Sequence, residues 1–147
     1  MSHYGIVGLR HLALNVKDVQ RSKAFYELVF EMNVVWQPDP DNVYLSSGTD
    51  NLALHQIPTE NLSTFSTQGG QFLDHLGFFI DSPANVDAMF QRVQTEGVPI
   101  VKPLKQHRDG SYSFYLADPD GNVIQVLYEP TVCKGETING KRETGNG

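Results

Sequence analysis

The feature that most constrains this chain is an internal repeat. The segments HLALNV (11–16) and HLGFFI (75–80) share a pattern of histidine, leucine and small or apolar residues, and they lie 64 residues apart. Each precedes a helix signal: Asp18 is a candidate N-cap for one helix, and Ser82 followed by Pro83 predicts the start of the other. The repeat therefore predicts one supersecondary unit used twice.

Each predicted helix is followed by three segments that are typical of strands, so both halves read βαβββ. The predicted strands are 33–37, 43–46 and 51–56 in the first half, and 100–103, 112–117 and 122–129 in the second. We predict an α+β fold in which paired βαβββ modules (about 8–57 and 72–130) form an incomplete β-barrel with helices packed outside. Residues 1–130 would form a single domain, and 131–147 a flexible tail.

Composition excludes several classes of function. The 147 residues carry a formal net charge of −6, which argues against a nucleic-acid partner and an anionic membrane surface. A single cysteine excludes a disulfide framework, and no apolar stretch is long enough to span a membrane. With no signal-peptide pattern at the start, a cytoplasmic location is expected.

Strand alternation selects three of the five histidines. His11 shares a strand face with Ala13 and Asn15, and His75 shares one with Gly77, whereas the bulky aliphatic residues point the other way. In the closing strand of each half, His55 faces away from Leu52 and Leu54, and Gln125 faces away from Ile124 and Val126. One histidine in a strand is more often a hydrogen-bonded, half-buried residue than a ligand. Three with matching parity in a repeat favour a divalent metal site of the Zn, Ni, Co, Fe or Mn type.

Other residues suggest a substrate pocket. Lys105 and Arg108, together with Lys102 and His107, could form an electropositive rim for an anionic substrate, although a solvated loop is the more common explanation of such a cluster. Trp36 and Phe72 are candidates to line an apolar pocket.

These motifs, together with the DPDGN turn (118–122) and the strand that follows it, resemble the vicinal oxygen chelate superfamily over residues 9–130. That superfamily includes glyoxalase I, methylmalonyl-CoA epimerase, extradiol dioxygenases, and the fosfomycin and bleomycin resistance proteins. The resemblance implies metal ligands at His11, His55, His75 and Gln125, a small-molecule substrate and a homodimer. Gln125 stands where a glutamate is usual, and an amide does not accept a proton at neutral pH.

Two functions follow from the resemblance. The first is a metal-dependent lyase, isomerase or dioxygenase that acts on a small oxygen-chelating substrate, with Gln125 as a ligand or catalytic contact. The alternative is a metal-free protein that sequesters a small molecule, as bleomycin resistance proteins do. The loss of the carboxylate at residue 125 motivates the alternative.

Overall fold

The computed structural model describes residues 4–65 and 72–133, which fall into two compact units that divide after Phe65. The first unit contains β1 (His11–Val16), α1 (Val19–Phe30), β2 (Asn33–Asp39), β3 (Asn42–Ser46), β4 (Asn51–Gln56) and a 3-10 helix (Thr59–Thr64). The second contains β5 (Leu76–Phe79), α2 (Pro83–Thr95), β6 (Ile100–Gln106), β7 (Tyr112–Ala117), β8 (Val123–Tyr128) and α3 (Pro130–Cys133). The predicted βαβββ order is confirmed in both units.

Each unit is built on an open, four-stranded mixed sheet. The strand orders are β1-β4-β3-β2 and β5-β8-β7-β6, so the two sheets have the same topology. The first strand of each unit pairs in parallel with the last, and the other pairs are antiparallel. The parallel pair is possible because a helix and two strands separate β1 from β4 in the chain, and β5 from β8. The predicted α+β class is therefore confirmed.

Helix α1 begins where the sequence predicts. The Asp18 carboxylate accepts a hydrogen bond from the backbone N–H of Arg21, which satisfies one of the free donors at the helix start. Tyr26 and Val29 are buried against the sheet, but Leu28 is exposed. The buried stripe of α1 follows Val19, Ser22, Tyr26 and Val29.

Gln56 fastens α1 to the end of β4. Its side-chain oxygen accepts from the backbone N–H of Val19 at 2.8 Å, and its amide nitrogen donates to the carbonyls of Lys17 and Ile57 at 2.8 and 3.1 Å. One side chain thus satisfies a helix N-terminal donor and two loop carbonyls.

Helix α2 also begins where the sequence predicts. The Ser82 hydroxyl accepts from the backbone N–H of Asn85, and Gly97 follows the helix with a φ of 74°, the left-handed conformation that favours glycine. Val86 and Val93 are fully buried, and Phe90 packs edge-on against Phe114 with ring centroids 5.1 Å apart. This helix therefore covers β7 and β8 of its own sheet.

The outer strands β2 and β6 are longer than predicted. Both continue through a proline, Pro38 in β2 and Pro103 in β6, and both pair with register shifts. A proline interrupts a central strand, but an edge strand tolerates it because one row of its backbone groups has no partner in the sheet. The extension places Lys105 on β6 rather than in a loop, on the same strand as Lys102.

Some predicted segments lie at or beyond the limits of the described residues. His75 directly precedes β5 rather than beginning it. The predicted flexible tail, 131–147, is helical in its first three residues, which complete α3; the remainder and residues 66–71 of the predicted connector lie outside the described residues. None of the helices described is long and apolar enough to cross a membrane.

Candidate functional site

His11 stands at the start of β1, directly opposite Asn51 in the parallel pairing with β4. Its ring Nδ1 lies 2.6 Å from Asn51 Oδ1. Because an amide oxygen only accepts, Nδ1 carries the proton, and the lone pair of the neutral ring is on Nε2. Fixing one ring nitrogen in this way is how metal-binding histidines are commonly oriented.

His55 is held in the same manner but at a different place. Its Nδ1 lies 2.6 Å from Asn42 Oδ1 on β3. The pairing puts His55 opposite Asn15, whereas His11 faces Asn51. His55 lies four residues beyond Asn51 on β4, which is a backbone separation of about 13 Å along the strand. The Tyr44 ring is near both imidazoles, with its centroid 6.3 Å from each. The structure therefore does not bring His11 and His55 together.

In the second unit, His75 Nδ1 lies 2.7 Å from a carboxylate oxygen of Asp74, which again leaves Nε2 with the lone pair. The imidazole packs edge-on against Tyr115, with ring centroids 5.3 Å apart. The ammonium of Lys102 lies 5.0 Å from the centroid of the same tyrosine ring, a cation–π contact. Tyr115 thus has both His75 and a positive charge as neighbours.

Gln125 lies on β8 directly opposite Gly77. Gly77 follows His75 by two residues in the chain. Its amide nitrogen donates to the hydroxyl of Ser113 at 3.1 Å. A Cβ added at Gly77 would lie 3.4 Å from the backbone oxygen of Gln125 and 3.8 Å from its Cβ, so the two residues are closely apposed. The bond to Ser113 engages the nitrogen side of the amide and leaves the side-chain oxygen to accept from, or bind, a ligand.

The register shows which residue of the first unit corresponds to Gln125. Gln125 faces Gly77, and the equivalent pair in the first unit is Ala53 facing Ala13. The sequence pattern predicts that His55 is the equivalent of Gln125, but in the observed pairing the equivalent residue is Ala53, two residues before His55. Ala53 is fully buried, and its cross-strand partner on β3 is Tyr44.

The donor atoms are therefore divided between the units: imidazoles from His11 and His55 in the first, and from His75, with the Gln125 amide, in the second. Neither unit, within the residues described, brings three His, Cys, Asp or Glu side chains together by itself. The donor set consists of borderline nitrogen ligands and one neutral oxygen, which suits first-row divalent ions.

The predicted substrate residues fall in several environments. Trp36 is 54% exposed and packs edge-on against Tyr44, with ring centroids 4.9 Å apart. Together Trp36, Tyr44, His11 and His55 form an aromatic row on the first unit. Lys105 on β6 and Arg108 in the turn after it are exposed, and Phe72 is fully exposed.

Sequence reasoning missed the polar side chains that support the donors. Ser113 is 1% exposed, and its hydroxyl contacts both the Gln125 amide and His107 Nε2, the latter at 3.2 Å. Alternation along β7 could have found Ser113, since it points to the opposite face from Phe114, which packs against α2. Asn51 and Asn42 carry no comparable signal, because their roles depend on strand register.

Two ionisable groups near the second unit's sheet have shifted pKa values. Hydrogen bonds from the Ser111 side chain and backbone lower the pKa of Asp109, which is exposed. The pKa of Tyr112 is raised because its hydroxyl donates to Asp87 on α2 at 2.5 Å, with smaller contributions from burial and from the nearby negative charge. Neither group contacts a candidate donor.

Comparison with known proteins agrees with this architecture. The chain is 28% identical over 128 residues to an uncharacterized protein of Pseudomonas aeruginosa (82% of this chain, 87% of the relative). It is 27% identical over 120 residues to the metallothiol transferase FosB of Shouchella clausii (81% and 78%). The crystal structure of lactoylglutathione lyase from Agrobacterium tumefaciens superposes with a TM-score of 0.69 at 25% identity, covering 87% of this chain and 98% of that one.

The sequence model of the Glyoxalase/Bleomycin resistance protein/Dioxygenase superfamily matches residues 8–126, which include both βαβββ units up to the middle of β8. The match contains His11, His55, His75 and Gln125, and it excludes the C-terminal segment. On this evidence the chain belongs to the Glyoxalase/Bleomycin resistance protein/Dioxygenase superfamily.

Proposed function

We propose that this protein is a metal-dependent enzyme that acts on a small substrate through two neighbouring oxygen atoms. The observation that carries the proposal is the way the donors are held. In His11 and His75 a side-chain oxygen fixes Nδ1, and in Gln125 a hydroxyl fixes the amide nitrogen. Each side chain therefore keeps one lone-pair atom for a ligand, as supported metal ligands do.

The proposed ligands are His11 and His75 through Nε2 and Gln125 through its side-chain oxygen. A divalent ion held there would supply Lewis acidity toward the substrate oxygens. All three side chains are neutral, so the ion would keep its full charge and favour an anionic or strongly polarised substrate. His55 belongs in this proposal to the aromatic row, where it would contact the substrate.

Residue 125 limits which steps the protein itself can perform. A glutamine orients and polarises, but it does not accept a proton at neutral pH. The proposed reaction therefore uses residue 125 to bind and position. Lys102 lies over the Tyr115 ring, and the same ring packs against His75. The lysine would supply a positive charge for an anionic part of the substrate.

Similarity to proteins named lactoylglutathione lyase and metallothiol transferase supports an enzyme of the metal-dependent kind. Of the proposed ligands, His11 belongs to the first unit, and His75 and Gln125 belong to the second. The sequence identities to these relatives support membership of the superfamily. They do not distinguish among a lyase, an isomerase and a dioxygenase.

Metal analysis tests the proposal. The protein is stripped with chelator, reconstituted separately with Zn²⁺, Ni²⁺, Co²⁺, Mn²⁺ or anaerobic Fe²⁺, and freed of unbound ion by gel filtration. We expect about one equivalent per chain for at least one ion, and a loss of most of it in His75→Ala. His3→Ala, which removes an imidazole outside the proposed ligand set, serves as the control. Less than about half an equivalent in the wild type for every ion would overturn the proposal.

The aromatic row favours a second function, the binding of a flat small molecule without metal. Trp36, Tyr44, His11 and His55 present successive rings on one unit, and aromatic surfaces of this kind bind planar ligands by stacking. An aromatic dye that binds equally well with and without chelator, together with absent metal binding, would favour this function. Binding that depends on the reconstituted ion would favour the enzyme.

A further inference from the structure

We infer that Ser113, backed by His107, is the positioning residue that holds the Gln125 amide with its oxygen available as a ligand. The inference rests on the proposed function, because orientation of this amide matters only if its oxygen binds something. It adds a role for two residues that lie outside the proposed ligand set.

The contacts form a continuous chain of side chains within the second unit. The amide nitrogen of Gln125 donates to Ser113 Oγ at 3.1 Å, and the same oxygen lies 3.2 Å from His107 Nε2. Ser113 faces Leu127 in the β7–β8 pairing, so it is diagonal to Gln125 on the same face of the sheet. Its exposed fraction is 1%, so the serine that makes both contacts is itself buried.

The serine hydroxyl can accept one hydrogen bond and donate another, which gives this series of hydrogen bonds a direction. A serine that accepts from the Gln125 N–H can donate its own proton to the lone pair on His107 Nε2. The position of His107 is set by its backbone, whose N–H donates to the Ser111 carbonyl at 2.8 Å and whose carbonyl accepts from Gly110 at 3.1 Å. In the tautomer that carries its proton on Nδ1, the His107 ring accepts from Ser113, and Ser113 accepts from Gln125.

This fixation matters for glutamine in a way that it would not for glutamate. A carboxylate presents an oxygen whichever way it turns, whereas a rotated amide presents an NH₂ group, which has no lone pair for a metal. Ser113 selects between these two orientations. A hydroxyl placed to accept from residue 125 thus makes the neutral side chain a usable oxygen donor.

Metal-free protein tests the orientation directly. We propose to follow the side-chain ¹⁵N–¹H₂ resonances of Gln125, assigned with Gln125→Asn, in wild type, Ser113→Ala and the control Ser111→Ala. We expect Ser113→Ala to shift these resonances and to speed amide hydrogen exchange about tenfold, and Ser111→Ala to leave both unchanged. Unchanged resonances and exchange in Ser113→Ala would overturn the positioning role without bearing on metal binding by the wild type.

Metal affinity tests the consequence through a double-mutant cycle. With the ion that the wild type binds, Ser113→Ala should weaken binding about tenfold, Ser113→Thr should retain it, and Ser111→Ala should change it less than about twofold. In a Gln125→Glu background the effect of Ser113→Ala should largely disappear, because there is no amide to orient. An equal loss in both backgrounds would mean that Ser113 acts only on general structure, and would overturn the inference.

The two levels of failure are distinguishable. Wild-type protein that binds no metal fails the proposed function, and the ligand role of Gln125 fails with it. If wild type and Ser113→Ala bind the metal with equal affinity, only the positioning inference fails. If Ser113→Ala does not fold, Ser113→Cys, whose thiol is close in size and a weak acceptor, is measured with the same expectations.

Discussion

Gln125 lies directly opposite Gly77 in the parallel pairing of β5 with β8, so β5 presents no side chain at that register position. The corresponding pair in the first unit, Ala13 and Ala53, carries no polar side chain at all. The repeat therefore places a metal-capable group at this register position in only one of its two copies. This asymmetry makes residue 125 the position at which substitution is most informative.

Gln125→Glu should strengthen metal binding by about tenfold or more, because a carboxylate adds a negative charge and a better oxygen donor beside the ion. The affinity is measured by competition with a chromophoric chelator at constant ionic strength. Gln106→Glu on β6 adds the same charge to the same unit and serves as the control. Equal affinities for Gln125→Glu and wild type would contradict a ligand role for residue 125.

His11→Ala should reduce metal affinity by about a hundredfold or more, and His55→Ala by less than about threefold. The reason is the register, which separates the two histidines by four residues along the paired strands. Both variants remove an imidazole bonded to an asparagine, so they are matched. The same competition assay applies, and a large loss in His55→Ala would return this residue to the ligand set.

Gln56→Glu should lower the free energy of unfolding by about 2–3 kcal/mol, because it removes two donated hydrogen bonds and sets a carboxylate oxygen against two carbonyls. Urea denaturation followed by circular dichroism gives the value. Gln37→Glu is the control: its side-chain oxygen accepts from Lys23, and a carboxylate keeps that role. The control should stay within about 0.5 kcal/mol of wild type.

Tyr112→Phe should change how thermal stability depends on alkaline pH. The pKa of Tyr112 is raised above its ordinary value of 10.0 in the folded protein, so folding favours the neutral phenol. The stabilisation is therefore complete below pH 10 and is lost as the pH rises through the folded pKa. Melting temperatures from pH 7 to 11 should show a wild-type advantage that is constant at first and then shrinks. An advantage that persists unchanged to pH 11 would contradict the bond to Asp87.

Much of the fold could be predicted because its signals are local. Asp18 and Ser82 cap their helices through their own side chains, and Gly97 ends α2 in a conformation that few other residues adopt. The repeated βαβββ order follows from these signals and from strand alternation. The buried face of α1 does not follow from apolar character alone, since Leu28 is apolar and yet exposed.

The candidate site could be predicted only in part. Parity correctly separates polar from aliphatic strand faces, but it leaves open which residues of two paired strands stand side by side. That depends on register, which places Asn51 rather than His55 beside His11. The contacts of Ser113 with Gln125 and His107 likewise join residues that are far apart in the chain, and no local pattern encodes them.

The prolines in the outer strands also bear on association between molecules. Pro38 and Pro103 remove a backbone donor from the rim of each sheet, and the register shifts beside them twist that rim out of line. Such a rim is a poor template for another β-strand, which protects the protein against fibril-like growth from β2 or β6. The opposite rims, β1 and β5, contain no proline. A strand added beside β1 or β5 would therefore meet no proline, at the sides that carry His11 and adjoin His75.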